Sequence, residues 1–258
     1  MSIYSLRVDK KTIIVTGGYG YLGKAISDSL EFHGAQVIVA AKTRDKFISA
    51  FGDNSKVDFI EFDISDTGSI VNGYETVMKK YGRIDVLINN AFYSKGQSPE
   101  LMTDEEWAYG IDGTLNSVFR TIREIIPFFN RQGSGKIINV SSMYGLVAPD
   151  FSVYDDSPEF LNPPHYGAAK AGVLQLTKYY ASYLGKHNIQ VNAVTPGPFP
   201  SSTVQNNTKF IEELKAKTCL KRIGIPEDLA GIFTFLSSDA ANYITGQNFI
   251  IDGGWTTR

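Results

Sequence analysis

Tyr166 and Lys170 lie four residues apart, and Tyr166 follows Ser142 of the Ser141-Ser142 pair by 24 residues. Four residues make about one turn of an α-helix, so Lys170 would lie over the same face as Tyr166. A phenol titrates near pH ~10, and a cation held beside it would bring it toward an acidity useful for proton transfer. Ser142 would add a hydroxyl that holds a substrate oxygen. The spacing alone equally fits a core tyrosine and a surface lysine, so the interpretation depends on the elements that surround it.

Short apolar runs alternate with longer segments of helical periodicity along the sequence. Strands are predicted at Thr12–Thr16, Gln36–Ala40, Val57–Glu61, Ile84–Asn89, Lys136–Val140, Ile189–Val194 and Asn248–Ile251. Helices are predicted at Tyr21–His33, Arg44–Phe51, Asp66–Tyr81, Thr103–Asn130, Tyr166–His187 and Pro226–Ser237. Continuous apolar strands are typical of parallel sheets covered on both faces. The pattern predicts an α/β fold, a single-domain Rossmann-type doubly wound parallel seven-stranded sheet with helices on both faces, over residues 1–258.

Composition and charge narrow the class of protein. With 25 basic and 27 acidic residues, the net charge of −2 does not indicate binding to nucleic acid or another polyanion. No apolar stretch approaches the ~18 residues that span a bilayer, and Met1 to Lys11 lacks the apolar region of a signal peptide, so a cytoplasmic location is expected. Cys219 is the one cysteine, which excludes an internal disulfide and fits a reducing compartment. It has no nearby base in the sequence, so a nucleophilic role is not favoured.

A glycine-rich turn follows the first predicted strand and opens the first predicted helix. Glycines at this place permit a tight turn and a close approach to a pyrophosphate, which also meets the positive end of the helix. Dinucleotide contacts are predicted at Gly17, Tyr19, Gly20, Tyr21, Leu22 and Gly23. The same segment narrowly misses the phosphate-loop pattern of nucleotide triphosphatases, because Ala25 has no hydroxyl for Mg²⁺.

The end of the second strand bears on the choice of dinucleotide. Sites that prefer NAD usually have an acidic residue there, which binds the 2′-hydroxyl of the adenosine ribose. This chain has no carboxylate at that point and carries Lys42 and Arg44 instead. NADP is therefore the predicted cofactor, with NAD as the alternative. The two cations also fit a solvated helix start.

Taken together, these segments resemble the short-chain dehydrogenase/reductase family over nearly the full length of the chain. The matching segments are the glycine turn, Asp63-Ile64, Asn89-Asn90-Ala91, Ser141-Ser142, Tyr166-x-x-x-Lys170, Val191 to Gly197, and Gly246 to Gly254. The resemblance implies that Tyr166 is the acid/base, that Lys170 lowers its pKa and holds the nicotinamide ribose, and that Ser142 orients the substrate carbonyl. Ser142 is preferred to Ser141 because Gly145 follows it at the interval typical of the family.

The resemblance also implies further cofactor contacts. Asp63 with Ile64 would reach the adenine, and Asn90 with Ala91 the nearby ribose. The nicotinamide side would meet the segment that contains Pro196, Gly197, Phe199 and Ser201. Asp63 as a helix cap and Asn90 as a turn residue are the structural alternatives. No metal site is expected.

Three departures from the family pattern concern the site itself. The glycine spacing is that of the extended members, with Tyr21 at the usual middle glycine. Thr114 stands where the family usually has an asparagine that helps to hold a proton-relay water, seven residues after Trp107, and Asn116 is two residues further on. The threonine hydroxyl either rebuilds that relay or leaves it weakened, so Thr114 is a candidate catalytic residue. Phe92-Tyr93 adds aromatic bulk after Asn90-Ala91.

A fourth departure is an insertion at about residues 149–165, since 23 residues separate Ser142 from Tyr166, more than is usual in the family. Long loops in compact domains are often functional. This one has carboxylates and rings that would suit a polyhydroxylated ligand, namely Asp150, Asp155, Asp156, Glu159, Phe151, Tyr154 and Phe160. A solvated or oligomer-facing loop is the alternative. A second segment, about 198–218, is expected to be a flexible lid.

The sequence thus predicts an NADP(H)-dependent oxidoreductase that interconverts a carbonyl and a secondary alcohol. The insertion and the Asn-Asn-Ala-Phe-Tyr run more loosely resemble a subgroup found with flagellin and surface-glycan modification, which implies a sugar or nucleotide-sugar substrate. A nucleotide-sugar epimerase or dehydratase that retains its cofactor, and a non-catalytic dinucleotide sensor, are the alternatives. The resemblance implies a homotetramer, with a dimer as the alternative, formed through the Tyr166–His187 helix and the Asp252 to Trp255 tail.

Overall fold

The computed structural model describes residues 6–53 and 55–257, so the two ends of the predicted domain lie outside the described residues. Seven parallel strands form one sheet in this part of the chain, in the order β3-β2-β1-β4-β5-β6-β7. The strands are β1 Thr12–Thr16, β2 Gln36–Ala41, β3 Asp58–Glu61, β4 Val86–Asn89, β5 Gly135–Val140, β6 Ile189–Pro196 and β7 Asn248–Ile251. The helices are α1 Tyr21–Phe32, α2 Arg44–Phe51, α3 Thr67–Tyr81, α4 Asp104–Ile111, α5 Ser117–Gln132, α6 Pro164–Leu184, α7 Thr208–Lys217 and α8 Pro226–Ser237. The predicted α/β fold class and its parallel seven-stranded sheet are confirmed.

The sheet is buried on both faces because successive strand residues enter opposite layers of the core. In β1, Ile14 packs into the layer formed with α3, α5 and α6. Ile13 and Val15 pack into the opposite layer, beneath α1 and α8. All three side chains are fully buried. Continuous apolar runs were therefore the right signal for a sheet with helices on both faces.

The strand order places a crevice at the carboxyl end of the sheet. The chain builds outward from β1 to β3 on one side, then returns to place β4 beside β1 on the other. The loops after β1 and β4 therefore leave in opposite directions, which makes this the point where doubly wound sheets bind ligands. The glycine turn, Asn90 and Ser142 follow strands at this edge, and Pro196 is the last residue of β6.

One predicted helix is interrupted. The segment predicted as a single helix over Thr103–Asn130 consists of α4, a π-helical turn at Asp112–Asn116, and α5. Thr103 and Glu106 cap the start of α4 reciprocally. A π turn inserts an extra residue into the helical ladder and often occurs at functional sites.

The segment predicted as a flexible lid, about 198–218, contains a helix that the sequence analysis did not predict. Asn207 caps α7 by accepting a hydrogen bond from the Phe210 backbone. Phe210, Ile211 and Leu214 form its buried face. That spacing, i, i+1 and i+4, was the available signal for an amphipathic helix. The role of this segment as a lid stays a prediction.

Candidate active site

A cavity of about 690 Å³ opens at the carboxyl ends of the central strands. The predicted site residues that line it are Gly17, Tyr19, Gly20, Tyr21, Leu22, Gly23, Lys42, Ile64, Asn90, Ala91, Ser142, Tyr166, Lys170, Pro196, Gly197, Phe199 and Ser201. The cavity is also lined by residues that were not predicted to belong to the site, namely Ala40, Ala41, Thr43, Lys46, Phe62, Phe92, Tyr93, Tyr109, Val140 and Ser141. Arg44, Asp63 and Thr114 were predicted site residues but do not line this cavity.

The glycine turn brings backbone close to backbone at the start of α1. A Cβ on Gly23 would lie 2.3 Å from the carbonyl oxygen of Gly17, and Gly17 itself has a φ of +63°. Gly20 precedes α1 and offers no side-chain cap to the first backbone N–H groups of the helix. Those groups and the positive end of the helix suit an anion. The turn therefore fits the pyrophosphate of a dinucleotide.

Asn90 holds the turn against the end of β4. Its side-chain amide donates to the carbonyl oxygens of Thr16 (3.0 Å) and Gly17 (3.3 Å). The Thr16 hydroxyl accepts in return from the backbone N–H groups of Asn90 and Ala91, each at 3.0 Å. Asn90 thus acts as a turn residue, the structural alternative given in the sequence analysis. Its contact with the ribose stays a prediction.

Lys170 lies in the floor of the cavity and is only 4 % exposed. Its ammonium donates to the carbonyl oxygen of Val140 at 2.7 Å. Burial lowers the pKa of Lys170 to about 7. A lysine with that pKa can exchange a proton at neutral pH.

Tyr166 stands one helical turn before Lys170 on α6, with the lysine Nζ 5.6 Å from the centre of its ring. Burial raises the pKa of the Tyr166 phenol, and a hydrogen bond from Ser142 partly offsets that rise. Lys170 was expected to lower the pKa of the Tyr166 phenol, but in the structure that pKa lies above its ordinary value. The reason is that burial acts on both groups and favours the neutral form of each.

The two neighbouring serines have different partners. Ser141 donates to the backbone carbonyl oxygen of Lys170 at 2.9 Å, which fixes the start of α6 against β5. Ser142 instead lies beside Tyr166, whose phenol pKa it lowers, and caps the backbone N–H of Tyr144 at 3.2 Å. The predicted role of Ser142 in orienting a carbonyl is compatible with its place beside Tyr166.

Phe92 packs beside Tyr166 and Lys170 in the cavity. Its ring centre lies 5.6 Å from that of Tyr166 and 5.4 Å from the Lys170 ammonium. The ring is about half exposed. The aromatic bulk expected at this position thus forms part of the cavity wall beside Tyr166 and Lys170.

The two cations predicted to favour NADP lie in different places: Lys42 is in the cavity, whereas Arg44 is outside it. Lys42 lines the cavity, but its ammonium lies 2.8 Å from a carboxylate oxygen of Asp63. Burial raises the pKa of Asp63, but hydrogen bonds from Lys42 and Ser65 outweigh that effect and bring the net pKa below its usual value. Arg44 packs over the ring of Phe59, at 5.8 Å, in a separate surface groove.

Lys46 is the cation that sequence reasoning missed. It lies in the first turn of α2 and lines the cavity, four residues after Lys42, which precedes the helix. The closeness of the two lysines in the sequence was the available signal. Asp63 does not cap α3, since Asp66 accepts the backbone N–H groups of Gly68 and Ser69 there.

Thr114 lies inside the π turn and is only 1 % exposed. Its hydroxyl has no hydrogen-bond partner among the described residues. Asn116 does not replace the missing asparagine, because it is exposed and donates to Asp112 at 3.1 Å. A buried hydroxyl without a partner is costly in a folded protein, so Thr114 keeps its interest as a candidate relay residue.

The insertion does not line the cavity; it packs against α7. Its residues form two short 3₁₀ turns, Phe151–Tyr154 and Pro158–Phe160. The ring of Phe210 on α7 lies 4.7 Å from that of Phe160 and 5.8 Å from that of Tyr154. These residues belong to a third apolar cluster, apart from the two that flank the sheet.

The carboxylates of the insertion are likewise engaged by α7. Asp150 pairs with Lys217 at 2.6 Å, and Asp156 pairs with Lys209 at 2.8 Å. Glu159 accepts from Asn207, the cap of α7, at 3.2 Å. Three of the four carboxylates therefore have partners on or next to α7, and their binding of a polyhydroxylated ligand stays a prediction.

Two other expectations concern metals and membranes. Within residues 6–53 and 55–257, no group of three or more potential metal ligands comes together. No helix of that part of the chain is long and apolar enough to cross a membrane.

Comparison with known proteins places the chain in a family. A family model described as enoyl-(acyl carrier protein) reductase matches residues 21–256. The chain is 34% identical over 256 residues to the 3-oxoacyl-(acyl-carrier-protein) reductase FabG of Thermotoga maritima, covering 96% of this chain and 99% of that protein. It is also 34% identical over 264 residues to the 7alpha-hydroxysteroid dehydrogenase of Bacteroides fragilis, covering 97% and 96%.

A solved short-chain dehydrogenase from Leptospira borgpetersenii, with bound NAD+, has a TM-score of 0.86 and 31% identity, covering 96% of this chain and 93% of that one. The chain therefore belongs to the short-chain dehydrogenase/reductase family, as its motifs predicted. Members of this family are NAD(P)-dependent oxidoreductases that act on carbonyl and alcohol groups.

Proposed function

We propose that this protein is an NADP(H)-dependent oxidoreductase that interconverts a carbonyl and a secondary alcohol, with Ser142, Tyr166 and Lys170 as its catalytic residues. The observation that carries the proposal is the placement of these three groups together in the floor of one cavity, below a glycine turn that fits a pyrophosphate. A bound nicotinamide supplies or accepts the hydride. The protein supplies binding, orientation and proton transfer.

In the reducing direction, Ser142 and Tyr166 hold the carbonyl oxygen by hydrogen bonds. Tyr166 donates its phenolic proton to that oxygen as it gains negative charge. Because burial raises the phenol pKa, the phenolate left behind must be reprotonated quickly. Lys170, with a pKa of about 7, is the neighbouring group suited to do this at neutral pH.

The proposed preference for NADP rests on Lys42 and Lys46, which both line the adenosine end of the cavity. A 2′-phosphate would compete with the Asp63 carboxylate for the Lys42 ammonium. When bound, it would accept the charge-assisted hydrogen bond that Lys42 otherwise gives to Asp63. Lys42→Ala should weaken NADPH binding by about tenfold or more, consistent with ~1.5–3 kcal/mol for a bond to a charged group. NADH binding should change by less than about twofold, because NADH carries no 2′-phosphate. Equal losses for both cofactors would refute the preference.

We also propose a sugar or nucleotide-sugar substrate, which is supported by the looser resemblance to the surface-glycan modification subgroup. A first test mixes the purified protein with NADPH and a panel of ketoses, nucleotide sugars, 3-oxoacyl thioesters and ketosteroids. Consumption of NADPH with one class identifies the substrate chemistry. A nicotinamide that co-purifies with the protein and is not consumed would instead support the epimerase or dehydratase alternative.

We also propose a homotetramer, with a dimer as the alternative. Tyr179 and Tyr183 stack on the outer face of α6 with ring centres 6.2 Å apart, and both are more than half exposed. Exposed aromatic pairs of this kind are typical of an interface. Light scattering of the purified protein measures its mass directly, and a stable monomer would refute the assembly.

A further inference from the structure

The π turn at Asp112–Asn116 is built around one carboxylate. Asp112 accepts hydrogen bonds from the hydroxyl of Tyr93, the guanidinium of Arg120 and the amide of Asn116. Burial raises the pKa of Asp112, but these hydrogen bonds, led by that from Arg120, outweigh it and bring the net pKa below its usual value. The carboxylate is therefore ionised at neutral pH, and its bonds are the charge-assisted kind.

One of these donors belongs to the cavity. Tyr93 lies in the loop after β4, and its ring lines the cavity at the end that also contains Lys42. The ring packs on that of Tyr109, with centres 4.8 Å apart, and the Lys42 ammonium lies 5.9 Å from the ring centre of Tyr93. Tyr93 and Tyr109 thus form an aromatic wall, and the bond to Asp112 fixes its inner ring.

The π turn is shaped to receive Tyr93. A Cβ at Gly113 would lie 2.1 Å from the Tyr93 carbonyl oxygen and 2.4 Å from its ring. Only glycine permits so close an approach between the turn and the loop. Ser117 donates to the carbonyl oxygen of Gly113 at 2.7 Å, which satisfies a backbone group released by the turn.

We propose that Asp112 is a positioning residue for the dinucleotide, which acts by holding the ring of Tyr93 in place as a preformed wall of the adenosine end of the cavity. The proposal rests on dinucleotide binding in this cavity, as put forward above. A ring that is already fixed loses no side-chain entropy when a ligand packs on it, whereas a free ring does. Because the ring is uncharged, the benefit should be the same for NADPH and NADH.

Tyr93→Phe tests this directly, since it keeps the ring and removes only the hydroxyl that bonds to Asp112. We expect the dissociation constants of NADPH and NADH, measured by fluorescence titration, to rise together by about 2- to 10-fold, the cost of immobilising one side chain. Tyr243→Phe is the matched control. It removes the hydroxyl of an exposed tyrosine that does not line the cavity, and it should leave both constants unchanged.

Two further variants separate positioning from stability. Asn116→Ala removes another donor to the same carboxylate without touching the wall, so it should lower the melting temperature slightly and leave cofactor affinity unchanged. Asp112→Asn should weaken cofactor binding in the wild-type background but not in Tyr93→Phe, because its effect passes through that hydroxyl.

The outcomes are distinguishable. Wild-type protein that binds neither dinucleotide would overturn the proposed function. Wild-type binding with unchanged constants in Tyr93→Phe would overturn the positioning role alone. Constants that follow the melting temperature across all four variants would also overturn it, since they would indicate a purely structural contribution.

Discussion

The buried ammonium of Lys170 gives a specific prediction for the pH dependence of stability. The unfolded chain would titrate this lysine near its ordinary value of 10.5, whereas burial lowers its folded pKa to about 7. Between these two values the unfolded state holds a proton that the folded state has released. Stability therefore rises with pH through this window.

The magnitude follows from the difference between the two pKa values. A difference of about 3.5 units corresponds to roughly 5 kcal/mol, an upper bound that is fully expressed below about pH 7. Lys170→Met removes the titrating group and keeps a long side chain in the core. It also loses the hydrogen bond to Val140, which costs about 1 kcal/mol at every pH. Relative to the wild type, the variant should therefore gain about 3 kcal/mol of stability at pH 6 compared with pH 9, because part of the penalty persists at pH 9.

The assay is urea unfolding of both proteins at half-unit steps from pH 6 to pH 10. Comparing the variant with the wild type at each pH cancels the contributions of all other titrating groups. Lys178→Met on the same helix is the matched control, because an exposed ammonium keeps its water; its difference from the wild type should be flat. A flat difference for Lys170→Met as well would refute the reasoning from burial.

Two further predictions concern the π turn and the insertion. Thr114→Val should raise the free energy of unfolding by about 1 kcal/mol, because it removes a buried hydroxyl that has no partner. If that hydroxyl serves the proton relay, kcat should fall by about tenfold with cofactor affinity unchanged, and Thr114→Asn should restore it; an unchanged kcat would exclude the relay. Phe160→Ala should cost about 2 kcal/mol of stability, since a half-buried ring forfeits roughly half of the core value. In a double-mutant cycle with Phe210→Ala the coupling should be about 1 kcal/mol, and a coupling near zero would contradict the packing of the insertion on α7.

The fold was predictable because its signal is repeated. The central strands are mainly apolar runs, and the sheet that buries these runs on both faces leaves little choice of architecture. The glycine turn was predictable because the backbone at Gly23 lies too close to that of Gly17 to leave room for a side chain. Local residue types decide such features, so one sequence suffices to find them.

The missed features depend on partners that are distant in sequence. The ion pairs of Asp150 and Asp156 were not predicted, because their partners Lys217 and Lys209 lie on α7. Lys42 looks like a free cation until β3 brings Asp63 beside it. The π turn is equally hidden, because it depends on Tyr93, which lies 19 residues before Asp112. In each case tertiary pairing determines what a charged side chain does, and no local pattern records it.

Tyr166→Phe tests the central claim most directly. With the carbonyl substrate identified by the panel, the variant should lose at least about 10²-fold in kcat, the lower bound of general acid catalysis, while its dissociation constant for NADPH stays within about twofold of the wild type. Tyr144→Phe, which removes a nearby hydroxyl bonded to Tyr154 at 2.7 Å, is the matched control and should retain turnover. Wild-type turnover by Tyr166→Phe would contradict the account.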